Sequence, residues 1–354
     1  MRLPFVDIKS KIDYPKAQAM IDRAYRAGVN YFDSAYVYHD KMSDVFAGDT
    51  LSKYPRDSYY LATKMPTWDL ARPKEDVPGI FEEQLKKCKV DYFDFYLAHC
   101  LNKERIPLLR DGIYEYLCKM KEQGKIRRLG FSFHDHLDVL KELLKDYKWD
   151  FVQIQLNYVD WDTSDAKSLY NTLTEHKVPV VVMEPVKGGS LANPGEKALD
   201  ILKKAEPQAS AATWALRFAA SLPNVMTVLS GMSEPEQVED NLKAFENFKP
   251  LDDAERKVLS EAAAAFRAFG NIPCTGCNYC MDCPSGVNIP RLLAQYNHYL
   301  VSKISKFAYH NQYRTLNEPE QAHNCTGCQR CETLCPQKIN IHTYMEAINT
   351  LFAS

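Results

Sequence analysis

Short apolar runs alternate with amphipathic helical stretches over most of this chain, and that alternation confines it to a parallel α/β arrangement. The runs are Tyr31 to Asp33, Tyr59 to Thr63, Phe93 to Ala98, Arg127 to Ser132, Phe151 to Gln155, Val178 to Met183 and Met226 to Leu229. A first helix is expected from about Tyr14 to Ala27, with Asp13 as N-cap, Pro15 in the first turn and Gly28 as C-cap. Further helices are expected over Asp135 to Tyr147, Asp165 to His176, Ala209 to Ser221 and Asp252 to Phe269. Counting Met1 to Leu3 as a strand, the total is about eight, the number of a (β/α)8 TIM barrel, which takes about 250 residues. The chain begins where a full barrel would already have a strand, so this first strand is expected to be short or missing.

Composition limits the partners. The 354 residues are 45% hydrophobic and 25% charged, enough for one large domain plus a small one. Basic and acidic residues number 44 and 46, giving a net charge of −2 with no long basic block. Neither nucleic acid nor an anionic membrane is therefore favoured as a partner. No apolar run reaches the length of a membrane span, and Met1-Arg2-Leu3-Pro4 lacks the features of a signal peptide, so a cytoplasmic protein is expected.

Polar residues stand where the apolar runs end. Lys64 closes one run and His99 another, while Asp33 ends the first and Tyr38 follows in the next loop. Parallel barrels assemble their active sites at the carboxyl ends of several strands. Taken singly, these residues read as strand caps, a helix cap and a core tyrosine. Taken together, they resemble the aldo-keto reductase family: Asp33 and Tyr38 in D-S-A-x-x-Y, Lys64 in A-T-K and His99 in D-F-Y-L-A-H. The resemblance covers roughly residues 1 to 250. It implies hydride transfer from NADPH or NADH to a carbonyl carbon while Tyr38 protonates the oxygen. A phenol has a pKa of about 10 in water and needs a neighbouring cation to serve near neutrality. By the resemblance Lys64 is that cation, Asp33 pairs with and orients it, and His99 donates a hydrogen bond to the carbonyl oxygen.

No G-x-G-x-x-G occurs, which argues against a Rossmann domain. The resemblance instead assigns the dinucleotide to two loops: Glu184, Pro185, Gly188, Gly189 and Leu191 in one, Ser230, Gly231, Ser233, Gln237 and Asn241 in the other. Small residues there let backbone amides approach phosphate, and a helix starting near Glu234 offers its N-terminus. Ser132 and Gln153 fall where the family binds the nicotinamide carboxamide, while Met183 stands in place of a common stacking tyrosine and Phe133 in place of a common asparagine. Ser230 to Gln237 holds no Lys or Arg to grip a 2′-phosphate, so weak discrimination against NADH is expected.

Eight of the eleven cysteines form an internal repeat: Cys274-x2-Cys277-x2-Cys280-x2-Cys283-Pro284 and Cys325-x2-Cys328-x2-Cys331-x3-Cys335-Pro336. Such grouping argues for metal rather than disulfides, and the scattered Cys88, Cys100 and Cys118 read as small buried residues. Three cysteines at successive x2 spacing wrap one face of a cubane, and a fourth before proline commonly ligates the other cluster of a pair. Two [4Fe-4S] clusters are expected, bound crosswise: Cys274, Cys277, Cys280 and Cys335 on one, Cys325, Cys328, Cys331 and Cys283 on the other. All-cysteine zinc sites also use C-x2-C pairs, but usually as two separate hairpins. The segment from Ile289 to Asn317 looks helical, with Pro290 near its start, so the module resembles an α-helical ferredoxin.

The whole reads as an aldo-keto reductase barrel over residues 1–265 followed by an α-helical 4Fe-4S domain over 266–354. A small carbonyl or alcohol is the expected substrate, with a redox partner protein possible at the cluster domain. The rival reading is an iron-sulfur electron-transfer protein that uses the barrel as a docking scaffold, and a third has the clusters only stabilise the chain or sense oxygen, leaving an ordinary reductase. Hydride moves two electrons at once and each cluster takes one, so coupling the two halves would need a splitter such as flavin.

Overall fold

The computed structural model describes residues 2–6, 11–68, 70–268, 270, 272–302 and 305–352. Its contacts divide the chain into two compact units, Met1–Pro185 with Ala212–Asp253, and Val186–Ala211 with Ala254–Ser354. Compactness thus cuts the chain three times, where the sequence pattern suggests one boundary between 265 and 266.

The first unit is built on seven parallel strands paired in chain order: β1 (Tyr31–Asp33), β2 (Tyr60–Met65), β3 (Phe93–Leu101), β4 (Ile126–Phe133), β5 (Phe151–Gln155), β6 (Val180–Met183) and β7 (Val225–Val228). The strand counted at Met1 to Leu3 is not formed among the described residues. Pro4 has no N–H for a ladder, and Phe5 makes only an isolated antiparallel bridge to Ile12. Leu3 is a core residue instead, buried with Ile12, Ala17 and Phe46.

Helices complete the ring where the strands do not. Helix α1 (Tyr14–Arg26) precedes β1 and packs on the helix Pro235–Glu246 that follows β7, through Met20, Ala24 and Val238. Two ion pairs lie along the same contact, Lys16 with Glu234 at 2.6 Å and Arg23 with Glu239 at 2.6 Å. Asp13 caps α1 by accepting from the Lys16 N–H, and Gly28 takes the left-handed φ of +96° just past its end. The other expected helices form within a few residues of their expected limits, as Leu137–Asp146, Ala166–Glu175, Ala211–Ala220 and Asp253–Arg267. Phe269, the expected end of the last, lies outside the described residues.

Inside the ring, Tyr31, Ala62, Phe95, Leu97, Phe151 and Val181 meet in one apolar cluster. Alternate residues of a strand share a face, so Asp33, Lys64, His99, Gln153 and Met183 project inward as well, one step further along their strands. The apolar layer closes the barrel beneath them, and the polar layer occupies its carboxyl-terminal end.

In the second unit the segment read as one helical stretch from Ile289 to Asn317 forms two helices, Ile289–Ser302 and Lys306–Tyr313, the second capped by Ser305. A further helix runs from Ile341 to Phe352. Leu292, Leu293, Tyr313, Met345 and Ile348 form their core, and Cys280 and Cys335 are buried in the same cluster. Among the described residues no helix is long and apolar enough to cross a membrane.

One helix contact in the barrel leaves no room for a side chain. Gly48 in α2 (Ser43–Leu51) sits against the end of α3 (Pro73–Cys88), where a Cβ would collide with the Lys87 carbonyl and lie 2.8 Å from the Cys88 carbonyl carbon. Gly79, in α3, has open space around the same position. Gly48→Ala is expected to destabilise the protein by about 1–3 kcal/mol, while Gly79→Ala should be neutral or stabilising by about 0.5–1 kcal/mol. Thermal denaturation of the two variants checks the contrast, and equal midpoints would remove the close-packing argument.

Candidate active site and cysteine cavities

Lys64 is fully buried, and two acceptors hold its ammonium: Asp33 Oδ1 at 2.6 Å and the Ser34 carbonyl at 2.6 Å. Burial lowers the lysine's pKa below its usual value, and the charge and hydrogen bond of Asp33, with Asp44 further back, offset part of that shift. Tyr38 comes from the loop after β1, with its ring centroid 4.9 Å from Lys64 Nζ. The His99 ring meets the Tyr38 ring edge-on, 5.5 Å between centroids and 78° between planes. Burial, then the charges of Lys64, His134 and Arg105, holds His99 well below the usual imidazole range. It is therefore neutral, with one N–H to donate and one lone pair. The structure brings all four sequence-predicted residues together at one end of the barrel.

Behind Lys64 lies a second carboxylate that sequence reasoning missed. Asp44 is completely buried in α2 and accepts from Ser34 Oγ at 2.6 Å, Thr63 Oγ1 at 2.9 Å and Gln84 Nε2 at 3.0 Å. Gln84 also donates to Thr63 Oγ1 at 2.9 Å and accepts from the Tyr96 hydroxyl. This network ties the end of β1, β2, α2, α3 and β3 around the lysine. Nothing at Asp44 marks it in the sequence, because its partners Ser34, Thr63 and Gln84 come from three separate stretches.

Two further side chains escaped the sequence reading. Trp68, in the loop after β2, places its ring 5.1 Å from that of His99. Arg105 lies over the Trp68 ring, with Cζ 4.4 Å from its centroid, and Nη1 donates to the Cys100 carbonyl at 2.8 Å. An aromatic residue soon after A-T-K-M-P is a usable signal for the first; Arg105 has none.

The residues assigned to the dinucleotide are spread over both units. Ser132 Oγ accepts from the Cys100 N–H at 2.7 Å, at the point where β3 bulges and Cys100 takes a φ of +59°. Gln153 Nε2 contacts Met183 Sδ at 3.4 Å, and its buried Oε1 has no hydrogen-bond partner among the described residues. Glu184 holds Arg2, a residue the sequence did not connect with this loop, at 3.2 Å. Arg2 also lies against Gly231, where a Cβ would come within 2.8 Å of its Cδ, and its carbonyl accepts from Ser233 Oγ at 3.1 Å. Asn241 donates to Ser230 Oγ at 2.8 Å, and Gln237 Oε1 accepts from the Ser233 and Glu234 N–H groups at the head of the helix. Pro185 ends the stretch of the first unit that carries Glu184, whereas Gly188, Gly189 and Leu191 belong to the second. There the bare Gly188 makes room for the backbone of Thr275: a Cβ would lie 2.5 Å from its carbonyl oxygen.

The two cysteine motifs fold alike. Gly276 and Gly327 have φ of +64° and +69°, and Asn278 and Gln329 have φ of +67° and +58°, so each C-T-G-C turn is followed by a left-handed residue. Two cavities result. Cys274, Cys277, Cys280 and Cys335 line one, and Cys283, Cys325, Cys328 and Cys331 line the other. Burial, then Cys277, Cys274 and Cys335, pushes the Cys280 thiol far up; burial, Glu332, Cys325 and Cys283 push Cys331 up to about 11. Four thiolates cannot share such a space without a cationic centre. Among the described residues no three Cys, His or carboxylate groups converge as ligands of a single ion.

Residues 6–264 match the model of the Aldo/keto reductase family, and residues 273–340 match that of a 4Fe-4S dicluster domain. L-galactose dehydrogenase of Arabidopsis thaliana is 26% identical over 275 residues, covering 72% of this chain and 86% of that protein. The NADH-specific methylglyoxal reductase of Escherichia coli (strain K12) is 27% identical over 285 residues, covering 68% and 86%. Among solved structures, the holo form of aldo-keto reductase AKR11C1 from Bacillus halodurans matches with a TM-score of 0.60 at 27% identity, over 74% of this chain and 91% of that one. Glycerol dehydrogenase AKR11B4 from Gluconobacter oxydans matches at 0.61 and 20% identity, over 71% and 86%, a likeness of fold alone. With a parallel barrel, inward polar residues at its strand ends and a family match across most of the chain, this protein belongs to the aldo/keto reductase family and carries a C-terminal 4Fe-4S domain.

Proposed function

We propose that the barrel is an NAD(P)H-dependent carbonyl reductase, working in reverse as an alcohol dehydrogenase, and that the domain after residue 265 holds two [4Fe-4S] clusters. A cytoplasmic location suits this reading. The observation that carries it is the fully buried Lys64, paired with Asp33 and set against the ring of Tyr38. Tyr38 protonates the carbonyl oxygen, and the Lys64 charge stabilises the phenolate left behind. Asp33 keeps Lys64 charged. His99, neutral, donates a hydrogen bond to the same oxygen and excludes water with Trp68. Bound nicotinamide supplies the hydride. Gln153 suits its carboxamide, because the unpartnered Oε1 is an acceptor that lacks a donor. Ser132 flanks it, and the Ser230 and Glu184 loops serve the rest of the dinucleotide.

Tyr38→Phe is expected to lower carbonyl reduction by about 10²–10⁴-fold while nicotinamide still binds, because the change deletes a proton donor. Asp33→Asn removes the charge that keeps Lys64 protonated, so the Tyr38 and Lys64 pair gives up its proton at lower pH. The alkaline limb of the kcat/KM profile should therefore move toward neutrality, with no limb from His99 near the ordinary imidazole pKa. A limb that stays in place removes Asp33 from the mechanism.

The Arg2 and Glu184 pair bears on cofactor choice. An arginine does reach the Ser230 loop, but its charge is already met by Glu184. Dissociation constants for NADH and NADPH, from fluorescence titration, are expected within about tenfold of each other, and Glu184→Gln should shift the balance toward NADPH by freeing Arg2 for a phosphate. An unchanged ratio in Glu184→Gln counts against Arg2 as the phosphate partner.

For the C-terminal domain the fit rests on the two four-cysteine cavities, which draw on both motifs. Clusters there supply one-electron transfer, with a redox partner protein docking at this domain. The crossed set means that Cys335→Ala damages the cluster held by Cys274, Cys277 and Cys280 and spares the other. Electron paramagnetic resonance of the anaerobically purified variant decides it: damage confined to the Cys325 cluster overturns the crossed ligation.

A further inference from the structure

The end of the barrel around His99 holds more positive charge than carbonyl reduction requires. Lys64 is matched by Asp33. Arg105 is not matched by any carboxylate among the described residues; its side chain touches the Cys100 carbonyl and the Trp68 ring. Two acids of this stretch, Asp135 and Asp111, are engaged elsewhere. Asp135 accepts from the backbone N–H groups of Lys103 and His136 at 2.7 and 2.8 Å, and Asp111 faces Lys74 at 3.7 Å.

Arg105 is half-buried, and its position is fixed. The backbone N–H is tied to Asn102 Oδ1 at 3.1 Å and the guanidinium lies over an indole. Having given one N–H to a carbonyl, it retains donors in a rigid fork that matches a carboxylate. Trp68 links it to the reacting end, since the same indole lies 5.1 Å from the His99 ring. The guanidinium is thus no farther from His99 than these two ring contacts in series.

We propose that Arg105 is the anion-binding residue of the substrate site, so that the carbonyl compounds reduced here carry a carboxylate. One guanidinium matches a carboxylate monoanion in charge and in the geometry of its fork. The inference rests on the proposed carbonyl reduction and leaves that chemistry unchanged. The carbonyl carbon gains a hydride from reduced nicotinamide, the oxygen gains a proton from Tyr38, and the carboxylate is neither formed nor consumed.

The test compares succinic semialdehyde with its neutral methyl ester, using the full anaerobically purified chain and NADH. The parent should favour the acid, and Arg105→Met should cut the acid-to-ester ratio of kcat/KM roughly tenfold to a hundredfold, through KM. Arg105→Lys should restore part of that ratio. Succinate should compete with the acid, and its inhibition constant should rise in Arg105→Met by a similar factor. An unchanged ratio in Arg105→Met, or a parent that reduces the ester as readily as the acid, overturns the inference and leaves the proposed reductase intact. Better turnover of an aldehyde phosphate than of the acid overturns it too. If neither compound is reduced, the proposed reductase falls and takes this inference with it.

Discussion

Burying a lysine ammonium in the interior of a barrel costs several kcal/mol of hydration, and much of the polar architecture here offsets that cost. Asp33 and the Ser34 carbonyl take two of the three Nζ donors of Lys64. Asp44 sits further back and adds a second negative charge, itself held by Ser34, Thr63 and Gln84. Low dielectric makes each of these interactions strong and makes the removal of any one expensive. The same desolvation keeps His99 neutral and leaves the lysine charge to act on Tyr38. The polar packing at this end of the barrel is thus organised around one buried cation.

The cysteine module solves a related problem with opposite charges. Crowded thiols resist ionisation, as the raised Cys280 and Cys331 show, until positive charge arrives. Its backbone is prepared for that event by two turns of the same left-handed geometry, one in each motif. The apolar core of the helices includes Cys280 and Cys335 as members, so metal binding and core packing are one process there.

Much of this is legible in the sequence. Asp33, Lys64 and His99 stand where apolar runs end in the sequence, and the structure sets them at the carboxyl-terminal end of the barrel, above the cluster of Tyr31, Ala62, Leu97 and Phe151. Cysteine spacing likewise pointed to two cavities shared between the motifs. What stayed hidden has a common physical cause. Asp44 and Arg2 act through partners in other elements and Arg105 lies over the ring of Trp68, and no local period or motif records such pairings. The missing first strand illustrates the converse: Leu3 is apolar because it joins the core beside Phe46, and an apolar residue alone does not reveal whether it is buried by a ladder or by a helix. Gly188 carried a similar ambiguity, since a small residue admits a phosphate or a neighbouring backbone equally well, and here Thr275 takes the space.

The shared lining of the two cavities also has a bearing on biosynthesis. A ribosome releases the three cysteines of the first motif long before Cys335, so the first cavity stays one wall short through most of the module's translation. Cys283 meanwhile waits for Cys325, Cys328 and Cys331. The second unit also reclaims Val186–Ala211 after the barrel segment Ala212–Asp253 has been made. The lining of both cavities is thus complete only when nearly all of the chain has been made.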